Sequence, residues 1–572
     1  MAKQWSSVSV ILLLGILLCL SLHLWTANLL SESQETRIPA FRIVETQQPQ
    51  EQQRQRQEHF LSRGTLACPT KETMTDTYND TDTLTENDTD EMIYWFDDAT
   101  TTRMTFQRRQ NEKIHSKYLL MDADPAGWNN KRISFEIHCL LALTMERTLV
   151  LPPSGEWFGF SLFRHNFSGL GFDNVYDLQK LRQYGLQIIT MKQFLQQETF
   201  TYPNNTVSRP PNNRTDWNGA WLADLRTWLQ QVTHILTWRH EDCIFVIPKN
   251  PNDTSRIIQA YQRIQHYQQQ QQQQQSQQQK RRYVPVDAPV EDRMKEILLG
   301  RTLCLNNATL QHQKYLYYHI TQKGPFSMEF QHRLLVWFYQ FIFFEDYTMD
   351  LSAKRFVRDS LRYKDELQCV AARIVKSLRL KSPNGIFHTF HCRRSEQFSF
   401  QFGHQPTAEE IVNIALMDIP KGSTVYVATD DMNQTWFQPF SEQWNIFFLS
   451  HFEQHIQDIS SEYYGMIDQL VASRGLTFFG SWSSTFTGFI NRMRGYHTQI
   501  RHTDGWKEGS IESYFYQSEH RDAMKSYESP TVYWFAREFP LAWRDIDHDS
   551  LFLGFEWDGF YSRMINTKGH AI

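Results

Sequence analysis

From Gly385 onward the chain alternates short apolar runs with longer amphipathic ones, and that rhythm restricts its fold more than any other feature. Strands are expected at Phe387–His391, Thr424–Ala428, Leu476–Phe479 and within Trp444–Leu449. Helices are expected at Thr407–Leu416, Tyr464–Ser473 and Thr485–Arg494, the first opened by a Thr407/Glu410 capping box. Strands separated by helices point to a parallel α/β sheet, since each crossover helix covers the sheet it returns to. The first strand runs out into His391, Arg393 and Arg394, within Gly385–Phe398. Ligands of open α/β sheets bind at the carboxyl ends of strands. Two guanidiniums and an imidazole there suit an anionic ligand, or else an Arg pair matched to surface acids.

The stretch before Gly385 shows the same rhythm. Tyr118–Met121 reads as a strand, Asp124–Asn129 as a turn, Asn130–Glu146 as a helix and Thr148–Leu151 as a strand stopped by Pro152-Pro153. This is the opening of a Rossmann-like half, with Ile188–Ile189 and Cys243–Ile247 as further strands. Leu334–Phe344 is very apolar but too short to span a bilayer, so a buried core helix is expected, followed by one helix over Lys354–Leu380. The break at Ser382–Gly385 is taken as the domain boundary, giving an N-terminal half over 113–383 and a C-terminal half over 384–572. The Gln-rich stretch near 262–282, closed by Lys280-Arg281-Arg282, reads as a surface insertion.

The amino terminus is of another kind. Val8–Trp25 is long and apolar enough for a transmembrane helix, and Trp25 sits where a cleaved signal peptide would want a small residue. A signal anchor over 1–30 is therefore expected. Lys3 before the run and Glu32 and Glu35 after it favour a cytoplasmic amino terminus. Residues 31–112, rich in Gln, Thr and Asp, read as a disordered stem. N-x-Ser/Thr sequons and six cysteines beyond Cys19 suit an oxidising lumen, although their pairing is not readable. The net charge of -5 supplies no general basic field, which disfavours nucleic acid as a partner. No C-x-x-C pair suggests a zinc site.

Gly480–Thr485 is a Ser-rich turn opening a helix, where free N–H groups and the positive end of the helix dipole favour an anion. Asp468, on the preceding helix, could accept from a guanine ring. Three blocks then carry a resemblance: YLLMDADPAGWNNKR with TLVLPP (Tyr118–Pro153), HCRR (His391–Arg394) with VYVATDD (Val425–Asp431), and Asp468-Gln469 with FFGSWSSTFTGFINRMRG (Phe478–Gly495). In this order they resemble the GDP-fucose protein O-fucosyltransferases.

The resemblance implies a GT-B fold, two Rossmann-like domains facing a cleft. It implies GDP-fucose as donor, inversion at the anomeric carbon and no required metal or other cofactor. Arg393 would hold the β-phosphate and Asn129 would join it in catalysis. Gly127, Trp128, His391, Arg394, Asp468, Ser484, Thr485 and Phe486 would line the donor, with Arg394 turned away to support its loop. The acceptor would be a protein Ser/Thr or a glycan hydroxyl on a glycoprotein. The enzyme would sit in the Golgi or endoplasmic reticulum membrane, single-pass, with its catalytic region lumenal. One departure stands out. Where a branch of the family has a Glu before the Gly of the first block, this chain has Ala126, and Asp122 and Asp124 do not align with it. The general base is therefore open. A related transferase with another nucleotide-sugar donor and a non-catalytic glycan- or protein-binding descendant are the competing readings.

Overall fold

The computed structural model describes residues 64–68, 83–97, 117–153, 171–322 (short of 199, 202–206, 209–218, 252, 273–287 and 299), 330–394, 405–501 (short of 432), 512–523 and 538. The apolar run Val8–Trp25, the basic triplet Lys280–Arg282 and the tail beyond residue 538 lie outside these. Among the described residues no helix is long and apolar enough to cross a membrane.

The fold is α/β with parallel sheets. The first sheet has five strands in the spatial order Ile188–Ile189, Thr148–Val150, Tyr118–Met121, Tyr315–Tyr318, His234–Leu236, every pair parallel. From Tyr118–Met121 the chain steps outward through Thr148–Val150 to Ile188–Ile189, then returns on the other side. The sheet therefore has a topological switch point between Tyr118–Met121 and Tyr315–Tyr318. Both strands are apolar because helices cover both faces; Tyr118–Met121 is buried throughout.

The C-terminal sheet repeats this plan. Its order is Asn445–Phe447, Thr424–Thr429, Phe387–Cys392, Phe478–Gly480, Ser513–Phe515, again all parallel. Its switch point lies between Phe387–Cys392, buried along its whole length, and Phe478–Gly480. A third parallel sheet joins Ile342–Phe344, Cys243–Ile247 and Thr302–Cys304.

Several expectations need correction. Leu334–Phe344 is buried but not one helix: it forms a single turn at Phe338–Phe341 and then a strand at Ile342–Phe344, where β-branched and aromatic residues pair with Phe245–Ile247. The helix expected over Lys354–Leu380 is two, Tyr347–Ser360 and Asp365–Lys381. The second packs on the Tyr464–Ala472 helix and the Thr424–Thr429 strand, so it belongs with the C-terminal sheet although it precedes the break at Ser382–Gly385. The helix expected over Asn130–Glu146 is Trp128–Thr144, and the one from Thr485 continues to Arg501. The Gln tract begins inside a helix, Ser255–Gln272.

The stem is also ordered in part. Glu86–Asp90 is a short helix capped by Thr85, and Met92, Ile93, Tyr94 and Trp95 are core residues. Glu91 binds Arg379 and Arg474, and Cys68 is bonded to Cys369. Composition marked the segment as unable to build its own core, but it borrows apolar surface from the C-terminal half. A second disulfide joins Cys243 to Cys304, while Cys139 and Cys392 are buried free thiols.

Candidate active site

The two strands flanking the C-terminal switch point carry the first part of the site. Phe387–Cys392 delivers His391 and, just beyond, Arg393 and Arg394. Phe478–Gly480 delivers the turn that opens the Thr485–Arg501 helix. The two are clamped by Thr487, whose hydroxyl accepts from the Ser481 N–H at 3.0 Å and lies 2.7 Å from His391 Nδ1. A methyl group at Gly480 would run into the Thr487 side chain, so only glycine allows this approach. The Phe486 ring stacks on the imidazole, centroids 4.3 Å apart and 24° between planes. Burial, with the Arg393 charge added to it, pushes the His391 imidazole down to about 3. His391 is a neutral, fixed wall.

The arginines diverge. Arg394 donates its backbone N–H to Asp430 at 2.7 Å and lays its guanidinium over Trp436, 3.8 Å from the ring centroid. Its Nε is 3.5 Å from Asp431. Arg393 pairs with Asp430 at 3.1 Å and remains 40% exposed, the more accessible cation of the two.

The N-terminal half brings a second helix end to the same place. Gly127 is the N-cap of the Trp128–Thr144 helix and supplies no side-chain cap; its carbonyl accepts from the Asn130 N–H at 3.0 Å and the Lys131 N–H at 3.3 Å. A methyl group at Gly127 would meet nothing within 4 Å, and its φ of -63° is ordinary, so the backbone itself does not call for glycine. Asn129, nearly buried, accepts from Gln469 Nε2 at 2.8 Å. Asn130 accepts from the Thr485 hydroxyl at 2.8 Å. Gln469 also accepts from Tyr363, which in turn accepts from the Trp128 indole N–H, both at 2.8 Å. Trp128 thus spends its polar atom inside the protein, its ring beside Phe172 and Tyr176.

Deeper between the same helices, fully buried Arg492 binds Glu136 at 2.8 Å and Glu538 at 2.7 Å, and Arg132 pairs with Glu136. The two helix amino ends are held together with both dipoles directed at one region.

Asp468 lies one residue before Gln469 and accepts from the buried Tyr426 hydroxyl. Burial raises its carboxyl to about 7, against the lowering effect of that hydrogen bond. Ser484 is almost buried, its carbonyl accepting from Gly488. Of the uncommitted acids, Asp124 is fully buried, bound in bidentate fashion to Arg333 at 2.8 Å and accepting from the Ala126 N–H. It shapes the turn. Among the described residues no cluster of His, Cys, Asp and Glu has the arrangement of a metal site.

His391, Phe486, Thr485, Asn129 and Gly127 therefore converge. Of the residues that fix them, Gln469 was quoted beside Asp468 in the third block, whereas Thr487 and Tyr363, and Tyr426 against Asp468, were not singled out in the sequence and read as ordinary core or cap residues.

A model of the GDP-fucose protein O-fucosyltransferase family matches residues 118–497, two thirds of the chain. The chain belongs to that family. It is a glycosyltransferase. No curated protein sequence matches it. Similar solved structures include POFUT1 in complex with GDP, at 12% identity and TM-score 0.32, covering 70% of this chain and 98% of that one. A mutant of Arabidopsis thaliana FUT1 in complex with GDP aligns at 10% identity and TM-score 0.30, covering 69% and 73%. The fucosyltransferase NodZ from Bradyrhizobium aligns at 12% and 0.31, covering 66% and 93%. The assignment rests on the family model.

Proposed function

We propose that this chain transfers fucose from GDP-fucose to a hydroxyl of a protein Ser/Thr or a glycan, with inversion at the anomeric carbon and without a metal ion. The observation that carries the reading is the meeting of two helix amino ends, at Gly127–Asn129 and Ser484–Phe486, against His391, with the accessible guanidinium of Arg393 two residues beyond it. Departure of GDP places new negative charge on the β-phosphate. A preorganised cation and aligned N–H donors stabilise that charge without reorganising during the reaction. His391 and Phe486 form a flat wall for the donor, and Asp468 accepts from the guanine N1–H and amino group when ionised. Arg394, committed to Trp436 and Asp430, supports the loop.

The two disulfides, Cys68–Cys369 and Cys243–Cys304, favour an oxidising compartment. With the apolar run Val8–Trp25 they support a catalytic region in the lumen of the Golgi or endoplasmic reticulum behind a membrane anchor. A thermal-shift panel of nucleotides and nucleotide sugars tests the donor. GDP and GDP-fucose are expected to stabilise the protein; stabilisation by another nucleotide instead would assign a different donor. Binding without GDP release in the presence of glycoprotein would make the chain a non-catalytic descendant.

A further inference from the structure

Transfer to a hydroxyl must also remove a proton, and this chain has Ala126 immediately before Gly127, where no side chain can take it. The N-terminal sheet has a switch point of its own, and ligands settle at such points, outside the carboxyl ends of the two flanking strands. The residue following Tyr118–Met121 is Asp122, and the residue following Tyr315–Tyr318 is His319. Their side chains meet there: His319 Nδ1 lies 2.7 Å from Asp122 Oδ2. Asp122 is only 5% exposed and is held from several sides. Tyr317 donates its hydroxyl at 2.5 Å, the Ile320 N–H donates at 3.0 Å, and Arg226 Nε stands 3.5 Å away.

The other imidazole nitrogen faces outward. His319 Nε2 is 3.0 Å from the side-chain amide nitrogen of Gln230, an exposed residue of the Gly219–Val232 helix. An amide nitrogen can only donate. The ionised Asp122 carboxylate can only accept, so Nδ1 carries the proton given to it, and in the neutral ring Nε2 presents the lone pair. This is the tautomer of a base: an imidazole oriented by a buried carboxylate, with its accepting nitrogen against one displaceable polar group. Asp122 also lies just before the Asp124-anchored turn that ends in Gly127 and Asn129, so the pair and the helix end belong to one edge of the sheet.

We propose that His319 is the catalytic base that accepts the proton of the incoming acceptor hydroxyl, with Asp122 as its positioning residue, and that the acceptor binds outside the carboxyl ends of the two strands that carry them, against His319 Nε2. The inference rests on the fucosyl-transfer reading. The acceptor oxygen bonds to the anomeric carbon, and the bond from that carbon to the β-phosphate oxygen breaks, its electron pair leaving with GDP. The acceptor proton passes to His319 Nε2 and later to water. The imidazolium formed is balanced by the Asp122 carboxylate, whose ionised form burial opposes but the Arg226 charge and the His319 and Tyr317 hydrogen bonds sustain.

The charged and titratable groups around the pair are Asp122, Arg226, Tyr317 and, from the Trp128–Thr144 helix beneath, His138. Burial pushes His138 down to about 4, so it does not compete for the proton near neutrality.

The test compares wild type, His319→Gln and Asp122→Asn, using radiolabelled GDP-fucose as donor and total secreted glycoprotein as the acceptor pool. Transfer is followed across pH, and GDP affinity is measured by calorimetry. His319→Gln is expected to lower the transfer rate about a hundredfold or more while binding GDP as wild type does. It also loses the acid limb of the pH–rate profile that wild type shows. Asp122→Asn keeps one acceptor oxygen in place of two and loses the charge, and is expected to lose roughly tenfold or more in kcat with the acid limb displaced. Transfer by folded His319→Gln at the wild-type rate and with the wild-type pH profile overturns the proposal. If His319→Gln fails to bind GDP, Asp122→Asn decides: an unchanged kcat and pH profile overturns it. Wild type that binds GDP but transfers no fucose overturns the functional reading, and this inference with it.

Discussion

Asp468→Asn tests the donor site and the fold in one experiment. The Asp468 carboxyl accepts from Tyr426, and burial lifts it from 3.8 to about 7. A rise of about 3 units corresponds to about 4 kcal/mol at ~1.4 kcal/mol per unit. Solvent reaches one side of Asp468, and screening brings this to about 2 kcal/mol. Between 3.8 and about 7 the native protein keeps a proton that the unfolded chain has released. The group's contribution to stability is therefore complete below 3.8 and is lost as pH rises through about 7. Asparagine cannot ionise yet keeps an oxygen for Tyr426. The variant is expected to gain stability over wild type as pH rises, by about 1–2 kcal/mol between about pH 5 and about pH 8. Urea denaturation of both proteins at each pH measures this, since other titrating groups cancel in the difference.

On the proposed reading, guanine recognition uses the ionised Asp468 carboxylate. Wild-type GDP affinity should therefore rise by about tenfold from about pH 6 to about pH 8, beyond any slope seen in the variant, which also carries the titration of GDP itself. The variant should bind GDP weakly at every pH. A stability difference that stays constant with pH would refute the burial argument. A variant with wild-type GDP affinity would refute the role in recognition.

Arg393→Ala should abolish measurable transfer, a loss of about a hundredfold or more, while the fold persists because the side chain is already 40% exposed; equal turnover by the variant would rule out charge stabilisation at this position. Glu136→Gln leaves Arg492 and Arg132 buried without their shared carboxylate and should destabilise the protein by about 3–5 kcal/mol in chemical denaturation. Replacing Cys68 and Cys369 together by Ser frees a loop of 301 residues and should cost about 2–5 kcal/mol, read as a lower denaturation midpoint than that of wild type under non-reducing conditions.

Much of the fold was legible locally. Periodicity and turn chemistry located four strands of the C-terminal sheet but not the fifth, Ser513–Phe515, and the Thr407–Glu410 capping box is present as expected. Periodicity misread Leu334–Phe344, because a short run that is apolar all round suits a strand and a helix equally. Composition misread residues 83–97, because a segment poor in apolar surface can still order against a partner's core, and Met92–Trp95 do so. The motifs brought His391, Arg393, Asn129 and Thr485 into view one block at a time. Their mutual geometry was not visible, since it depends on contacts such as Asn129–Gln469 and Thr485–Asn130, whose partners lie far apart in the chain.

The two arginines show the division most clearly. Sequence alone determined that two guanidiniums would stand at the end of a strand, because Phe387–Cys392 holds no Asp, Glu, Lys or Arg and Arg393-Arg394 follow it directly. Which of them stays the more accessible was decided by tertiary structure: Trp436 and Asp431, from another part of the chain, take Arg394 and leave Arg393 accessible. In the same way Asp122 and Asp124 are two similar acids in one turn until folding places His319 against the first and Arg333 against the second. Local sequence sets which faces are buried and where a chain must turn, whereas the partner of each charge depends on which distant surfaces pack together.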